Sequence, residues 1–191
     1  KNAMAGLPFG GAKAGIIADD RQITKEQKKL IIEEFARAIK MVCPSLYIAG
    51  PDMNTAETEM EWFAKANGDL KSCTGKPTSM KGLPHELGST GFGVFHAAKV
   101  AIEHLKLDLK KVTFAVEGFG NVCVFASKFM TQAGATLVAV SDSQGTLLNP
   151  KGIDFQKLEQ IKIKLKTVTK YTDGKILPAK EILKVNADML I

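Results

Sequence analysis

The sequence predicts an α/β protein in two parts, and three observations carry that reading. In the second half an apolar strand (Val112–Val116), a turn (Glu117–Gly120), a helix (Asn121–Gln132) and a second strand (Thr136–Val140) follow one another as a βαβ unit. Strands that alternate with helices imply a parallel sheet. In the first half two helical patterns flank short apolar segments, and Gly68–Pro84, rich in Gly, Pro, Ser, Thr and Lys without periodicity, reads as a connection between the parts.

Composition bounds the class. The chain has 191 residues, 45% of them hydrophobic and 24% charged, and a mean hydropathy near zero. That permits a substantial core and argues against disorder. No apolar run approaches about 18 residues, so no membrane span is expected, and the N-terminus lacks the apolar stretch of a signal peptide. Cys43, Cys73 and Cys123 are odd in number and form no CxxC pair. A reduced, cytoplasmic compartment fits, with neither a disulfide framework nor a metal site. The net charge of +6 invites a nucleic-acid reading. However, much of the excess lies in Lys157–Lys184, where lysines alternate with Ile and Leu and acids intervene, which reads as a solvated helical face. The chain opens without Met, inside a motif, and closes on the apolar run Met189-Leu190-Ile191, a strand in progress. Both ends read as cuts in a longer protein.

The elements follow in order. Ala14–Ala18 is expected as a short buried strand. Thr24 and Gln27 form a capping-box signature, and Leu30, Ile31, Phe35, Ala38, Ile39 and Val42 follow at helical spacing. That helix should end before Cys43-Pro44, because the residue before proline resists helical dihedrals. Leu46–Ala49, bounded by Pro44 and Gly50, reads as a strand. Asn54 with Glu57 is expected to cap a helix running to Asn67. Ser89 or Thr90 starts a helix with Val94, Phe95, Ala97, Ala98, Ala101, Ile102 and Leu105 on its apolar side. Asp154–Lys166 is a further amphipathic helix.

Three groups of residues carry chemistry. Lys13 follows a Gly10-Gly11-Ala12 turn and precedes Ala14 and Gly15, with Lys1 upstream. Glycine backbone approaches ligands closely, and a lysine walled in by it is poorly hydrated, with a depressed pKa suited to acid–base work. A solvated loop lysine beside ordinary turn glycines is the alternative. Asp52, in Gly50-Pro51-Asp52-Met53-Asn54-Thr55, is a turn or capping residue on its own terms, and a proton relay if it faces that lysine. Gly118-Phe119-Gly120-Asn121-Val122-Cys123 is GxGxxG with its last glycine replaced by cysteine, lying between a strand and a helix. Such a turn presents bare backbone and free N–H groups to a pyrophosphate. Asp142, at the end of the next strand, has the spacing of a ribose-contacting carboxylate. Cys123 stands where thiolates are favoured, although packing is the simpler role. His85, His96 and His104 are scattered and read as ordinary loop or helix residues. Trp62 and Phe63 read as core or subunit interface.

These residues together resemble the glutamate, leucine, phenylalanine and valine dehydrogenase family. The likeness rests on Lys1-Asn2-Ala3, Leu7-Pro8-Phe9-Gly10-Gly11-Ala12-Lys13-Ala14-Gly15, Gly50-Pro51-Asp52, Ser89-Thr90-Gly91, Gly118–Val122 and Val140-Ser141-Asp142, in the family's order. The run Gly10–Lys13 is more similar to glutamate dehydrogenases than to the branched-chain enzymes. The resemblance implies part of an N-terminal α/β substrate and oligomerisation domain (1–80) followed by a partial Rossmann-like dinucleotide-binding domain (81–191). It implies oxidative deamination of L-glutamate to 2-oxoglutarate and ammonia with NAD or NADP, in a homo-oligomer, usually a hexamer. Lys13 would be the catalytic lysine, Asp52 the proton-transferring carboxylate and Lys1 the ligand of the substrate α-carboxylate. Thr90 would contact the nicotinamide carboxamide. Gly118, Phe119, Gly120, Asn121 and Val122 would bind the pyrophosphate, with Ser141 and Asp142 at the adenosine ribose. Asp142 would favour NAD, while Ser141, Ser143 and nearby lysines leave room for a 2′-phosphate. Cys123 and His85-Glu86-Leu87-Gly88 depart from the family's usual pattern. A leucine- or phenylalanine-type dehydrogenase and a non-catalytic nucleotide-binding homologue are the alternatives.

Overall fold

Thr24 opens the first helix through two reciprocal bonds: its hydroxyl accepts the Gln27 N–H (3.2 Å) and the Gln27 side chain accepts the Thr24 N–H (2.8 Å). This start belongs to a computed structural model that describes residues 3–19, 22–83 and 87–191. The chain divides into two compact units, Lys1–Leu87 and Gly88–Ile191.

In the first unit, helix α1 spans Lys25–Ala38 and helix α2 spans Glu57–Asn67. α1 stops short of Cys43, and turns follow through Leu46 (Val42 N–H to Ile39 O, 3.0 Å; Leu46 N–H to Val42 O, 2.8 Å). Met41 is almost fully exposed, so continuing the helix would bury nothing on that side. α2 is capped differently from expectation. Asn54 sits at φ +60° before the helix, and the Glu59 carboxylate reaches back to accept the Ala56 N–H at 2.8 Å. The core joins Ile32 and Ala36 of α1 to Met60, Phe63 and Ala64 of α2, with Cys43, Ala49 and Cys73. The Asn67 side-chain amide donates to the Ala36 carbonyl (3.2 Å) and ties the two helix ends together.

Neither expected strand of this unit forms. Residues 14–18 are exposed, and no backbone hydrogen bond joins 10–18 to any described residue. Of Leu46–Ala49 only Ala49 is bridged, in parallel, to Cys73. A strand exists through its partner's hydrogen bonds, so apolar patterning without a neighbour leaves extended or turn backbone. The segment read as a connection is built into this unit instead: Ser72, Cys73 and Lys76 are buried, and 3-10 turns lie at Leu70–Ser72 and Thr78–Met80. Gly75 and Gly82 serve close packing here rather than freedom, since a Cβ on either would collide with its neighbours.

The second unit holds helices α3 (Ser89–His104), α4 (Asn121–Gln132) and α5 (Phe155–Leu165). Its strands are β1 (Thr113–Val116), β2 (Thr136–Asp142), β3 (Gly145–Leu148), β4 (Lys175–Leu177) and β5 (Met189–Leu190), in the sheet order β4-β3-β2-β1-β5. β1 lies parallel to β2, with Thr113 opposite Thr136 and Val116 opposite Val140, and parallel to β5. The sheet is mixed rather than purely parallel, because β3 folds back antiparallel on β2 after a tight turn and β4 pairs antiparallel with β3. Phe114, Val116, Met130, Leu137, Val140, Leu147 and Leu158 are at most 1% exposed at its core.

Only part of the lysine-rich stretch is helical. Lys166 turns left-handed at φ +62° and ends α5. A 3-10 turn, β4 and the 3-10 segment Ala179–Lys184 follow. Among the described residues no helix is long and apolar enough to cross a membrane.

Candidate active site

Lys13 and Asp52 meet: the lysine ammonium and the aspartate carboxylate form an ion pair within the first unit. The aspartate is held by its own turn. Its backbone N–H donates to the Thr55 hydroxyl (2.8 Å), that hydroxyl donates back to the Asp52 carbonyl (3.0 Å), and the carboxylate accepts the Met53 N–H (2.8 Å). The strip carrying it is clamped to the following loop. Ala49 N–H donates to Ser72 O (3.0 Å) and Thr74 N–H to Ala49 O (2.8 Å). Gly75, at φ +67°, passes so close that a Cβ there would lie 2.5 Å from Pro51 Cγ. Sequence reasoning missed this support, although a glycine after Cys73-Thr74 was its visible sign.

The electrostatics of the pair differ from expectation. The Lys13 and Asp52 side chains are 78% and 52% exposed, so no desolvated wall depresses the lysine. The hydrogen bond and charge of Asp52 raise the Lys13 pKa instead. The bond from Lys13 and the Met53 N–H lower that of Asp52. Both groups are therefore charged across the neutral range. A Cβ on Gly10, Gly11 or Gly15 would meet nothing within 4 Å, so these glycines leave open room beside Lys13 rather than strained backbone.

Next to the pair lies a cavity of about 190 Å³, lined by Ala14, Ile16, Ile32, Phe35, Asp52 and Phe63 among others. Lys28 also lines it, but its ammonium is committed to Glu59 at 2.9 Å. Lys1 and Asn2 of the opening motif, and His85-Glu86, lie outside the described residues.

In the second unit the GxGxxG segment takes the shape a phosphate turn requires. Gly118 is left-handed at φ +87°, and a Cβ on Gly118 or Gly120 would meet nothing within 4 Å, leaving space over the turn. Phe119 is buried with its ring 6.3 Å from that of Phe155. The N–H groups of Asn121, Val122 and Cys123 find no acceptor among the described residues, and the first bond of α4 runs from Val124 to Gly120 (2.9 Å). Three free donors at a helix N-terminus, under open space, fit a dinucleotide pyrophosphate. Cys123 is half-buried, and burial raises its thiol pKa, so it packs rather than ionises. Thr90 stands exposed in the first turn of α3. Gly91 permits the close approach of that helix, since a Cβ there would lie 2.6 Å from the Val122 carbonyl oxygen.

The two residues expected at the ribose behave otherwise. The Ser141 hydroxyl accepts the Gly118 N–H at 3.2 Å. Asp142 has a 7% exposed side chain and accepts four bonds: from Lys162 Nζ (2.8 Å), Val168 N–H (2.8 Å), Gln144 N–H (2.9 Å) and the Thr167 hydroxyl (3.4 Å). A carboxylate offers about four acceptor positions, so this one is full. Burial raises its pKa, but the Lys162 and backbone N–H bonds outweigh that and hold it below the ordinary range. Asp142 is an internal anchor and not a free ribose acceptor. Three of its four donors, Lys162, Thr167 and Val168, come from a distant part of the chain, which spacing from Gly120 does not reveal.

Residues 82–191 match the family model for glutamate/leucine/phenylalanine/valine dehydrogenase, and residues 1–68 match that for the dimerisation domain of the same enzymes. The chain belongs to this family. Over its whole length it is 35% identical to a glutamate dehydrogenase of Aeropyrum pernix, covering 47% of that protein. It is 32% identical, again over its whole length, to an NADP-specific glutamate dehydrogenase of Saccharolobus shibatae, also covering 47% of it. The fold matches a hetero-hexameric glutamate dehydrogenase of Thermus thermophilus with a TM-score of 0.87 at 23% identity, covering 99% of this chain and 46% of that one. The chain thus spans about half the length of the curated relatives it matches. In the family's terms, the Lys13–Asp52 pair lies in the first matched region and the GxGxxG turn in the second.

Proposed function

We propose that the complete protein oxidatively deaminates L-glutamate to 2-oxoglutarate and ammonia, reversibly, with NAD or NADP. The ion pair of Lys13 with Asp52, beside a cavity of amino-acid size, is the observation that carries this reading. A fixed ammonium stabilises negative charge developing on a substrate oxygen. Asp52, kept ionised by Lys13 and turned by Thr55, accepts and returns protons at the substrate nitrogen or a water. Lys1 is assigned to the substrate α-carboxylate. The free N–H groups of Asn121 and Val122, with Gly118, Phe119 and Gly120, would hold the pyrophosphate, and Thr90 the nicotinamide carboxamide. The bound dinucleotide supplies the hydride acceptor. With Asp142 neutralised by Lys162, no free carboxylate there repels a 2′-phosphate, which agrees with use of either cofactor. We assign 1–80 to the substrate and oligomerisation domain and 81–191 to the dinucleotide domain, in a homohexamer. A cytoplasmic location is part of this proposal; Cys43, Cys73 and Cys123 are free thiols.

A second reading has an observation of its own. Ile16, Ile23, Ile31, Ile32 and Phe35 line the cavity and its lysine is already paired, which suits an apolar side chain of the leucine or phenylalanine type. The test is reduction of NAD and NADP by the complete protein with glutamate, leucine and phenylalanine. Glutamate should give the highest kcat/KM. A preference for leucine or phenylalanine selects the second reading. NADH binding without turnover on any of the three marks a non-catalytic homologue.

A further inference from the structure

We propose that Ser141 is a positioning residue for the pyrophosphate turn, acting through the Gly118 N–H rather than by touching the ribose. This rests on the dinucleotide-binding reading above and gives that site its mechanical support. Just past β1, the next two N–H groups are caught on both flanks. The Glu117 N–H donates to the Ile191 carbonyl beyond β5 (2.8 Å), and the Gly118 N–H donates to the Ser141 hydroxyl at the end of β2 (3.2 Å). The parallel register that sets Val116 opposite Val140 delivers Ser141 to that place.

Ser141 is 4% exposed, so its oxygen is fixed in the interior and has little access to solvent. Gly118 lies just past β1, and its φ of +87° turns the chain away immediately after that N–H; without the Ser141 hydroxyl the donor would have no acceptor among the described residues. Phe119 then plugs into the core, and the free N–H groups of Asn121, Val122 and Cys123 follow directly. The anion site is therefore pre-set by three anchors, of which Ser141 is the one polar side chain. Holding donors in place before the ligand arrives strengthens binding by removing the ordering cost.

The test uses the complete protein and direct titration with NADH and with NADPH. In Ser141→Ala both dissociation constants should rise about five- to tenfold, as expected for one lost neutral hydrogen bond, with their ratio unchanged. The KM for each dinucleotide should rise in parallel with its dissociation constant, and by more than kcat falls. Ser141→Thr, which restores the hydroxyl, should recover most of the affinity. A shift in the NADH to NADPH ratio would instead place Ser141 at the ribose and overturn the proposal, and so would unchanged dissociation constants. Should Ser141→Ala fail to fold, amide hydrogen exchange on the native protein decides: the Gly118 amide must be protected without cofactor, and free exchange refutes the latch. A native protein that binds neither dinucleotide removes the functional reading itself, an outcome distinct from these.

Discussion

Replacing Asp142 by Asn separates the ribose contact that its spacing in the sequence suggests from the anchoring role that its four donors give it. The native side chain takes four donors, two on each oxygen: Lys162 and the Val168 N–H on one, Gln144 N–H and Thr167 on the other. Asparagine keeps one acceptor oxygen and turns an NH2 group toward two of those donors. It also removes the charge that balances Lys162, whose side chain is 25% exposed. Hydrogen bonds to charged groups contribute about 1.5–3 kcal/mol each, and stranding half of a partly buried pair adds to the loss. Water reaching Lys162 and rotation of the Thr167 hydroxyl toward Thr169, 3.0 Å away, recover part of it. The net expectation is about 2–3 kcal/mol. At roughly 4–8 °C per kcal/mol for a domain of this size, the unfolding midpoint should fall by roughly 10–20 °C.

Scanning calorimetry of the variant beside an NADH titration reads both roles. The anchoring role predicts a lower midpoint with the NADH dissociation constant changed less than about threefold. An unchanged midpoint with a large loss of NADH affinity would refute it and restore the ribose contact. The pH dependence has a defined sign. The carboxyl is held below its unfolded pKa, so its contribution is fully present above that value, about pH 4, and is lost as pH falls through the folded pKa. Asp142→Asn should therefore flatten the acid limb of stability below about pH 4 and leave the neutral-to-alkaline profile unchanged in shape.

Gly75→Ala places a Cβ 2.5 Å from Pro51 Cγ at a backbone of φ +67°. It should destabilise the first unit by about 2–3 kcal/mol in denaturant titrations and lower turnover by displacing the Asp52 strip, while Gly93→Ala, with open space around it, should do neither. Leu158→Ala removes a fully buried side chain from the sheet-facing core, for an expected loss of about 3–4 kcal/mol by the same measurement. Thr24→Ala breaks the capping box of α1 and should cost about 1 kcal/mol without altering cofactor affinity.

The second unit was the more legible half. Val112–Val116, Asn121–Gln132 and Thr136–Val140 announce themselves through local pattern, and the structure reproduces each within a residue or two at its ends. β3 and β4 escaped notice because Gly145–Leu148 and Lys175–Leu177 are short and depend on their antiparallel neighbours. In the first unit the apolar runs at Ala14–Ala18 and Leu46–Ala49 carry a strand's composition without a strand's partners, so pattern misled. The meeting of Lys13 with Asp52 was legible only through the family motif, since no spacing rule joins two loops so far apart. The charge state of that lysine was misjudged for a related reason: flanking glycines say nothing of solvent, and here the lysine stays open to it.

Lys13→Ala in the complete protein tests the central claim most directly, with steady-state turnover measured beside NADH binding. Removal of the ammonium paired with Asp52, the carboxylate proposed to transfer protons, should lower kcat by about 10²–10⁴ and leave the NADH dissociation constant within about twofold. Native turnover in that variant would show that the ammonium paired with Asp52 takes no part in the chemistry.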